Sequence, residues 1–190
     1  MSIKLGAPYA RMALGSSCMA ALALGMAAPA LSAGPGYGGA EPTSSAPPTG
    51  FSTIVTAKVV DGKGTVTGKT SGGTVSVTVP SGASSTSLQV AITKGSGTTV
   101  KKHLPSSLRK DAIVAEFGVE LRNGSSATTT SKELTVTFSD QKIAKGDIVV
   151  IYDQATGKFT KVTATVTKGE ITVHLKAGES IAILAPSAKK

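Results

Sequence analysis

The stretch SGGTVSVTVPSGA, residues 71–83, decides the fold of the chain. Val75, Val77 and Val79 alternate with hydroxyl-bearing residues, which gives an extended segment one apolar and one polar face. Two glycines precede the segment, and Pro80, which has no amide hydrogen to donate to a neighbouring strand, ends it. Because the stretch contains no His, Cys, Asp, Glu or Lys, it predicts a half-buried β-strand between two turns and no chemistry.

The same alternation of apolar and polar residues recurs along the chain after residue 51. Segments with this period begin near Leu88, Ile113, Leu134, Val162, Ile171 and Ile181. Residues 148–152 are apolar at every position, which predicts a central strand covered on both faces. Residues 101–111 alone suggest a short helix or an irregular loop. The pattern therefore predicts an all-β, antiparallel β-sandwich, immunoglobulin-like or of a related Greek-key type, with nine or ten short strands.

The composition indicates which residue types fill the core and which cover the surface. At 190 residues the chain is long enough for one domain with a well-buried core. It is 40% hydrophobic but 4% aromatic, with four Phe and no Trp, so Val, Ile, Leu and Ala must fill the core. Charged residues are 16%, below the usual share, and Ser and Thr take their place, which predicts hydroxyl-covered outer faces. Few aromatic residues remain for stacking on sugars or bases, and we expect no specific nucleic-acid partner.

Residues 1–33 have the three parts of a secretory signal peptide. Lys4 and Arg11 form a positive region, an apolar run follows, and small residues precede a Gly-Pro-Gly sequence. We expect cleavage between Ala33 and Gly34, with cleavage after Ala30 as the alternative. An uncleaved N-terminal anchor is a further alternative, but Gly and Ser interrupt the apolar run.

Residues 34–50 are rich in Gly, Pro, Ser and Thr and predict a flexible linker before a domain spanning residues 51–190. Cys18, the single cysteine, lies inside the signal segment, so the mature protein would lack disulfides and thiol chemistry. We expect a secreted protein, extracellular or associated with the cell envelope, with no permanent membrane span after cleavage and no cofactor.

The formal charge of +9 is partly concentrated in one short segment. Lys101, Lys102, Arg109 and Lys110 lie within ten residues, with His103 between them. These four basic residues are the candidate site for an anionic ligand, such as an anionic cell-wall polymer. Another surface protein is the alternative partner, and a solvated charged face without a ligand is the alternative interpretation.

The sequence offers few candidate catalytic or metal-binding residues. His174 lies on the polar face of a predicted strand, and His103 is interpreted as part of a basic loop. Glu116 and Glu120 share a strand face, which we interpret as a solvated face, with a catalytic carboxylate pair as the alternative. No nucleophile elbow occurs, and the Asp residues are too far apart in the sequence for a calcium loop. Asn123 begins a glycosylation sequon, but Asn-Gly also predicts a hairpin turn.

The order of the strand and turn motifs resembles the β-sandwich module of ankyrins and netrin receptors, which has relatives in bacterial secreted and surface proteins. The resemblance spans residues 72–184 and rests on strand and turn residues. These are Gly72-Gly73-Thr74-Val75, Val77, Val79-Pro80, Gly82-Ala83 and the run from Leu134 to Phe138, followed by GDIVVIYDQATGKFTKV and GEITVHLKAGESIAIL. It implies a non-enzymatic interaction or surface module, and it carries over no ligand-binding residues.

The sequence therefore predicts a secreted, non-enzymatic β-sandwich protein with a structural or binding role at the cell surface. Two alternatives from other classes stay open. One is a secreted hydrolase with an active site that the motifs do not reveal, and the other is a soluble module that binds polyanions or glycans.

Overall fold

The computed structural model describes residues 50–70 and 72–187, which form two antiparallel sheets packed face to face. The predicted all-β sandwich is confirmed. The described residues contain twelve strands, more than the nine or ten expected, because several are only two to four residues long. The predicted signal peptide, its cleavage site at Ala33 and Gly34, and residues 34–49 of the linker lie outside the described residues.

The strands follow one another with a single helical interruption. In chain order they are β1 (Thr53–Val60), β2 (Gly64–Thr70), β3 (Gly73–Val79), β4 (Leu88–Lys94), β5 (Ala112–Asn123), β6 (Ser126–Ala127), β7 (Thr129–Ser139), β8 (Ile148–Asp153), β9 (Lys158–Lys161), β10 (Thr165–Thr167), β11 (Glu170–Ala177) and β12 (Glu179–Ala185). Helix α1 (Gly97–His103) and a 3-10 turn (Ser106–Leu108) lie between β4 and β5. The sequence suggests a short helix or loop at residues 101–111, and α1 begins four residues before that stretch.

The two sheets have different sizes. The seven-stranded sheet has the order β1-β4-β5-β12-β8-β9, with β6 paired to β5. The five-stranded sheet has the order β10-β11-β7-β3-β2. The opening stretch forms β3, which pairs with β2 on one side and β7 on the other.

The main core lies between the sheets and follows the predicted alternation. Val75 and Val77 are fully buried and Val79 is nearly so. Phe138 of the five-stranded sheet stacks on Phe117 of the seven-stranded sheet, with ring centroids 5.4 Å apart. Two of the four Phe therefore link the sheets at the centre of an otherwise aliphatic core.

One predicted strand is wrong. The alternation Val162-Ala164-Val166 predicts a continuous strand, but β9 ends at Lys161 and β10 begins at Thr165. The chain leaves the seven-stranded sheet and joins the five-stranded sheet between these positions. Val162, Ala164 and Val166 are partly buried against the main core, so the apolar period follows a crossover along the edge of the sandwich.

A second apolar cluster covers part of the outer face of the seven-stranded sheet. It contains Phe51, Val100, Leu104, Leu108, Val150, Phe159, Ala182 and Leu184. Strand β8 is covered on both faces as predicted, because Val149 faces the main core and Val150 the second cluster. It is the strand next to the edge, however, and β12 beside it is also buried on both faces.

The outer face of the five-stranded sheet is covered with hydroxyl groups, as the composition predicts. One row of residues paired across all five strands consists of Thr67, Ser76, Thr137, Thr172 and Thr165. Thr67 and Ser76 share a hydrogen bond of 3.1 Å between their hydroxyls, and Thr65 and Thr78 one of 3.2 Å. Each such cross-strand pair stabilises the sheet by about 0.2–1 kcal/mol.

Candidate functional site

The four basic candidates are all exposed. Lys101 and Lys102 occupy the last turn of α1, and Arg109 and Lys110 follow the 3-10 turn. Cations in the last turn of a helix interact favourably with the negative end of its dipole, so Lys101 and Lys102 need no ion-pair partner to be tolerated there.

One hydrogen bond connects the two halves of this basic segment. The Arg109 Nε donates to the backbone carbonyl of Leu104 at 3.0 Å, and Leu104 is the C-cap residue of α1. The chain therefore folds back and places the Arg109 side chain at the helical end that carries Lys101 and Lys102. The structure brings these three residues to one end of α1, with Lys110 adjacent in the chain.

Apolar contacts beneath the segment fix it to the sheet. Val100 is fully buried, Leu104 is 1% exposed and Leu108 is 5% exposed, all in the second apolar cluster. The four basic residues of the segment face solvent. The basic residues are thus carried by an ordered segment on the outer face of the seven-stranded sheet.

His103 has a structural role that its interpretation as part of a basic loop did not foresee. It is half-buried in the last turn of α1, and its Nδ1 lies 2.9 Å from the carbonyl oxygen of Gly157 in the β8–β9 hairpin. Its ring also meets the Tyr152 ring edge-on, at 5.4 Å between centroids. His103 therefore ties the helix to the hairpin.

His174 lies where the alternation predicts. It is exposed on the outer face of the five-stranded sheet, opposite Thr135 of β7. Its Nδ1 and the Thr135 hydroxyl are 3.5 Å apart. No carboxylate is paired with it in the described residues, so this position offers no acid–base pair.

Glu116 and Glu120 share a face of β5 but do not form a working pair. They are four residues apart on one strand, about 13 Å along its axis, which exceeds the separation that glycosidases use. Glu120 instead forms an ion pair with Arg122 at 3.2 Å. Burial raises the pKa of Glu116, while the charge of Lys94 and a hydrogen bond from the Gly97 backbone oppose the increase.

A cavity of about 270 Å³ lies at the seven-stranded sheet, lined by residues of β4, β5, β6, β8 and β12 and the turns beside them. Its polar lining includes Thr93, Glu120, Arg122, Tyr152, Glu179 and Ser180. Gly118 and Gly178 also line it, and both allow close approach of neighbouring atoms. A Cβ at Gly178 would lie 2.9 Å from the Val119 carbonyl oxygen.

Glu179 is the most perturbed acid of this cavity. Burial, and after it the negative charge of Asp153 on β8, raise the pKa of Glu179 to about 7. Among the described residues, no ion pair within 4.0 Å involves Glu179. A half-buried carboxyl that titrates near neutrality in a cavity marks a candidate functional group.

Thr93 provides a second polar group at the same cavity. It is completely buried, and its Oγ1 has no hydrogen-bond partner within the described residues. Its hydroxyl lies over Gly118, another lining residue, where a side chain would otherwise stand. A buried hydroxyl without a hydrogen-bond partner lowers the free energy of unfolding by about 1–3 kcal/mol, so close packing alone does not explain why Thr occupies this position.

The sequence does not reveal this cavity. Its lining comes from strands distant in the sequence, and no short motif marks it. One signal was present: Gly118 replaces a side chain in the middle of an otherwise regular strand, which indicates a close approach of another group.

Other kinds of site find no support among residues 50–70 and 72–187. These residues contain no group of three or more His, Cys, Asp or Glu side chains placed to hold a metal ion. They also contain no helix long and apolar enough to cross a membrane. A hairpin turn joins β5 and β6 at the predicted place, but Asn123 is paired with Ser126, and Gly124, at φ 60°, and Ser125 form the turn.

No protein-family model matches the chain, and no curated protein matches it in sequence.

Proposed function

We propose that the protein is a secreted, non-enzymatic β-sandwich of the cell surface or extracellular space that binds anionic polymers through its basic segment. One observation carries the proposal: Lys101, Lys102, Arg109 and Lys110 are all exposed on a segment whose apolar residues are buried in the second cluster. A polyanion meeting this segment gains charge contacts without first ordering the backbone, which lowers the entropic cost of binding.

The net charge of the protein favours a polyanionic partner. Without Lys4 and Arg11 of the predicted signal peptide, 18 basic and 11 acidic residues remain, a formal charge of +7 that attracts polyanions from a distance. The resemblance to surface modules of bacterial proteins agrees with such a role. An anionic cell-wall polymer is the ligand class that combines repeated negative charge with the expected location outside the cell.

The test compares two variants with equal net charge. In the first, Lys101, Lys102, Arg109 and Lys110 are replaced by Ser. In the second, the exposed residues Lys58, Lys63, Lys145 and Lys168 are replaced by Ser. Lys158 is unsuitable as a control because it follows Gly157, which contacts His103 of the basic segment.

We expect the first variant to lose most of its affinity for a purified anionic wall polymer at low salt, and the control variant to retain most of it. Equal losses would mean that net charge drives the attraction, and would overturn the proposed site. The polymer recovered after incubation should keep its length. Shortening by the wild-type protein would instead support the hydrolase alternative.

A further inference from the structure

Strand β1 leaves one edge of the seven-stranded sheet open. Within the described part of the chain, β1 pairs with β4 on one side and with no strand on the other. An edge strand of eight residues presents a row of unpaired backbone N–H and C=O groups, which another extended chain can join. Strand β1 contains no Pro, so it keeps every backbone amide donor. The edge is therefore able to accept a further antiparallel strand.

Strand β1 also carries the two large apolar side chains that remain exposed among the described residues. Ile54 is 59% exposed and Val59 is 54% exposed. In a regular strand, residues five positions apart point to opposite faces, but a register shift after Ile54 makes Val55 an extra residue. Ile54 is consequently opposite Thr93 and Val59 opposite Gln89, both on the face of β4 that points away from the main core. The two apolar side chains therefore share the outer face of the sheet.

These positions are complementary to themselves under a two-fold axis through Ala57. In an antiparallel pair of two β1 strands, Ala57 would lie opposite Ala57 of the second copy, and Ile54 opposite Val59. The extra residue Val55 would be accommodated as it is against β4. Directly opposite side chains have Cβ atoms about 4.5–5.5 Å apart, so both apolar pairs would be in contact. A contact of this kind uses the same surface on both copies and closes at the dimer.

We propose that two copies of the protein associate through β1 and join their seven-stranded sheets into one continuous sheet. Backbone hydrogen bonds hold the two strands together, and the Ile54–Val59 pairs select this register over others. A second copy fits better than an unrelated peptide, because both halves of each apolar pair come from β1 itself. The inference concerns different residues from the polyanion-binding segment and does not depend on it.

Lys58 limits the strength of this association. It is exposed, and each Lys58 would lie opposite Thr56 of the second copy, which brings two cations close to the axis. A lysine on an edge strand and a bulge are both features that discourage uncontrolled pairing. We therefore expect a weak, reversible dimer that tightens as salt screens the two cations. Polyanion binding through the basic segment should respond to salt in the opposite direction.

Sedimentation equilibrium of the purified protein at several protein and salt concentrations measures the association. We expect a monomer–dimer equilibrium with a Kd on the order of 0.1 mM, tighter at high salt than at low salt. At the far lower protein concentrations that suffice for polymer binding, the protein stays monomeric, so the two tests are independent. A monomer at every concentration, growth beyond the dimer, or dissociation of the dimer by added salt would each overturn the proposal.

Four variants, all at exposed residues of edge strands, test the register. Ile54→Lys and Val59→Glu should each weaken the dimer about tenfold or more, because each substitution occurs twice in it. Combining the two in one chain should restore the affinity to within about threefold of wild type, since the introduced cation meets the introduced anion across the axis. Thr165→Lys adds the same cation to β10, an edge strand of the other sheet, and should have no effect. A dimer unchanged by either single substitution, or no recovery in the combined variant, would overturn the proposal.

Discussion

The Thr93 hydroxyl occupies the space above Gly118 on the neighbouring strand. The two residues are paired across β4 and β5, and Gly118 is also close to Phe51 of the second apolar cluster. A side chain at position 118 would collide with Thr93 Oγ1, and Thr93 is completely buried. The absence of one Cβ therefore permits this buried threonine.

Gly118→Ala should destabilise the protein by about 1–3 kcal/mol, the usual cost of overpacking a well-filled site. In a Thr93→Ala background the same substitution should cost clearly less, because the atom that it meets has been removed. Thr93→Val keeps a methyl group in that place and should give no relief. Urea denaturation of the variants measures the coupling, and additive effects of Gly118→Ala and Thr93→Ala would contradict the contact.

Two neighbouring residues of β7 test which face of the five-stranded sheet is buried, since their side chains point to opposite faces. Val136 is 1% exposed and belongs to the main core, whereas Thr137 is half-exposed in the hydroxyl row. Val136→Thr should cost about 1–3 kcal/mol because it buries a hydroxyl without a partner. Thr137→Val should change stability by less than about 0.5 kcal/mol. Thermal unfolding of both variants measures these effects. If Thr137→Val destabilised the protein more than Val136→Thr, the assignment of these two residues to the inner and outer faces would be wrong.

Phe51 is the core residue nearest the start of the described part of the chain. It is completely buried in the second cluster and packs near Phe159, with ring centroids 6.3 Å apart. Phe51→Ala should lower the free energy of unfolding by about 3–5 kcal/mol. A matched change at the exposed neighbour, Ser52→Ala, should have almost no effect. Urea denaturation measures both effects. If the two variants had the same denaturation midpoint, Phe51 would not contribute to the core as described.

The raised pKa of Glu179 predicts a pH dependence of stability. The ordinary value is 4.5 and the folded value about 7, so the folded state binds more protons between these limits. Its contribution to stability is therefore fully present below about pH 4.5 and is lost as the pH rises to about 7. Glu179→Gln should remove this loss and stabilise the protein at pH 8 by about 1 kcal/mol, since water screens the exposed part of the side chain. Denaturation of wild type and variant at pH 4.5 and pH 8 checks this, and an equal difference at both values would contradict it.

The fold could be predicted because its determinants are local in sequence. The valines of residues 75–79 define a strand by alternation alone, and Gly or Pro residues mark its ends. The crossover at residues 162–164 escaped prediction because a chain that passes along the edge of a sandwich has the same apolar period as a strand. Alternation indicates which residues are buried, but it does not indicate which sheet contains the neighbouring strand.

The candidate site could be predicted only in part for a related reason. Clustered charge in residues 101–110 is visible in the sequence, and its exposure follows from the helix that carries it. The lining of the cavity includes Thr93 and Glu179, which are far apart in the chain. Only the pairing of β4, β5 and β12 brings them to the same place.

The central claim, that the basic segment binds anionic polymers, is tested most directly by the salt dependence of binding. Binding of the wild-type protein to a purified anionic wall polymer is measured at several salt concentrations, and the logarithm of affinity is plotted against the logarithm of salt concentration. Counterion release should give a steep negative slope, which becomes shallower by about one unit for each basic contact removed by the Ser substitutions at Lys101, Lys102, Arg109 and Lys110. A slope that is the same for wild type and this variant, or wild-type binding that is absent even at low salt, would contradict the account.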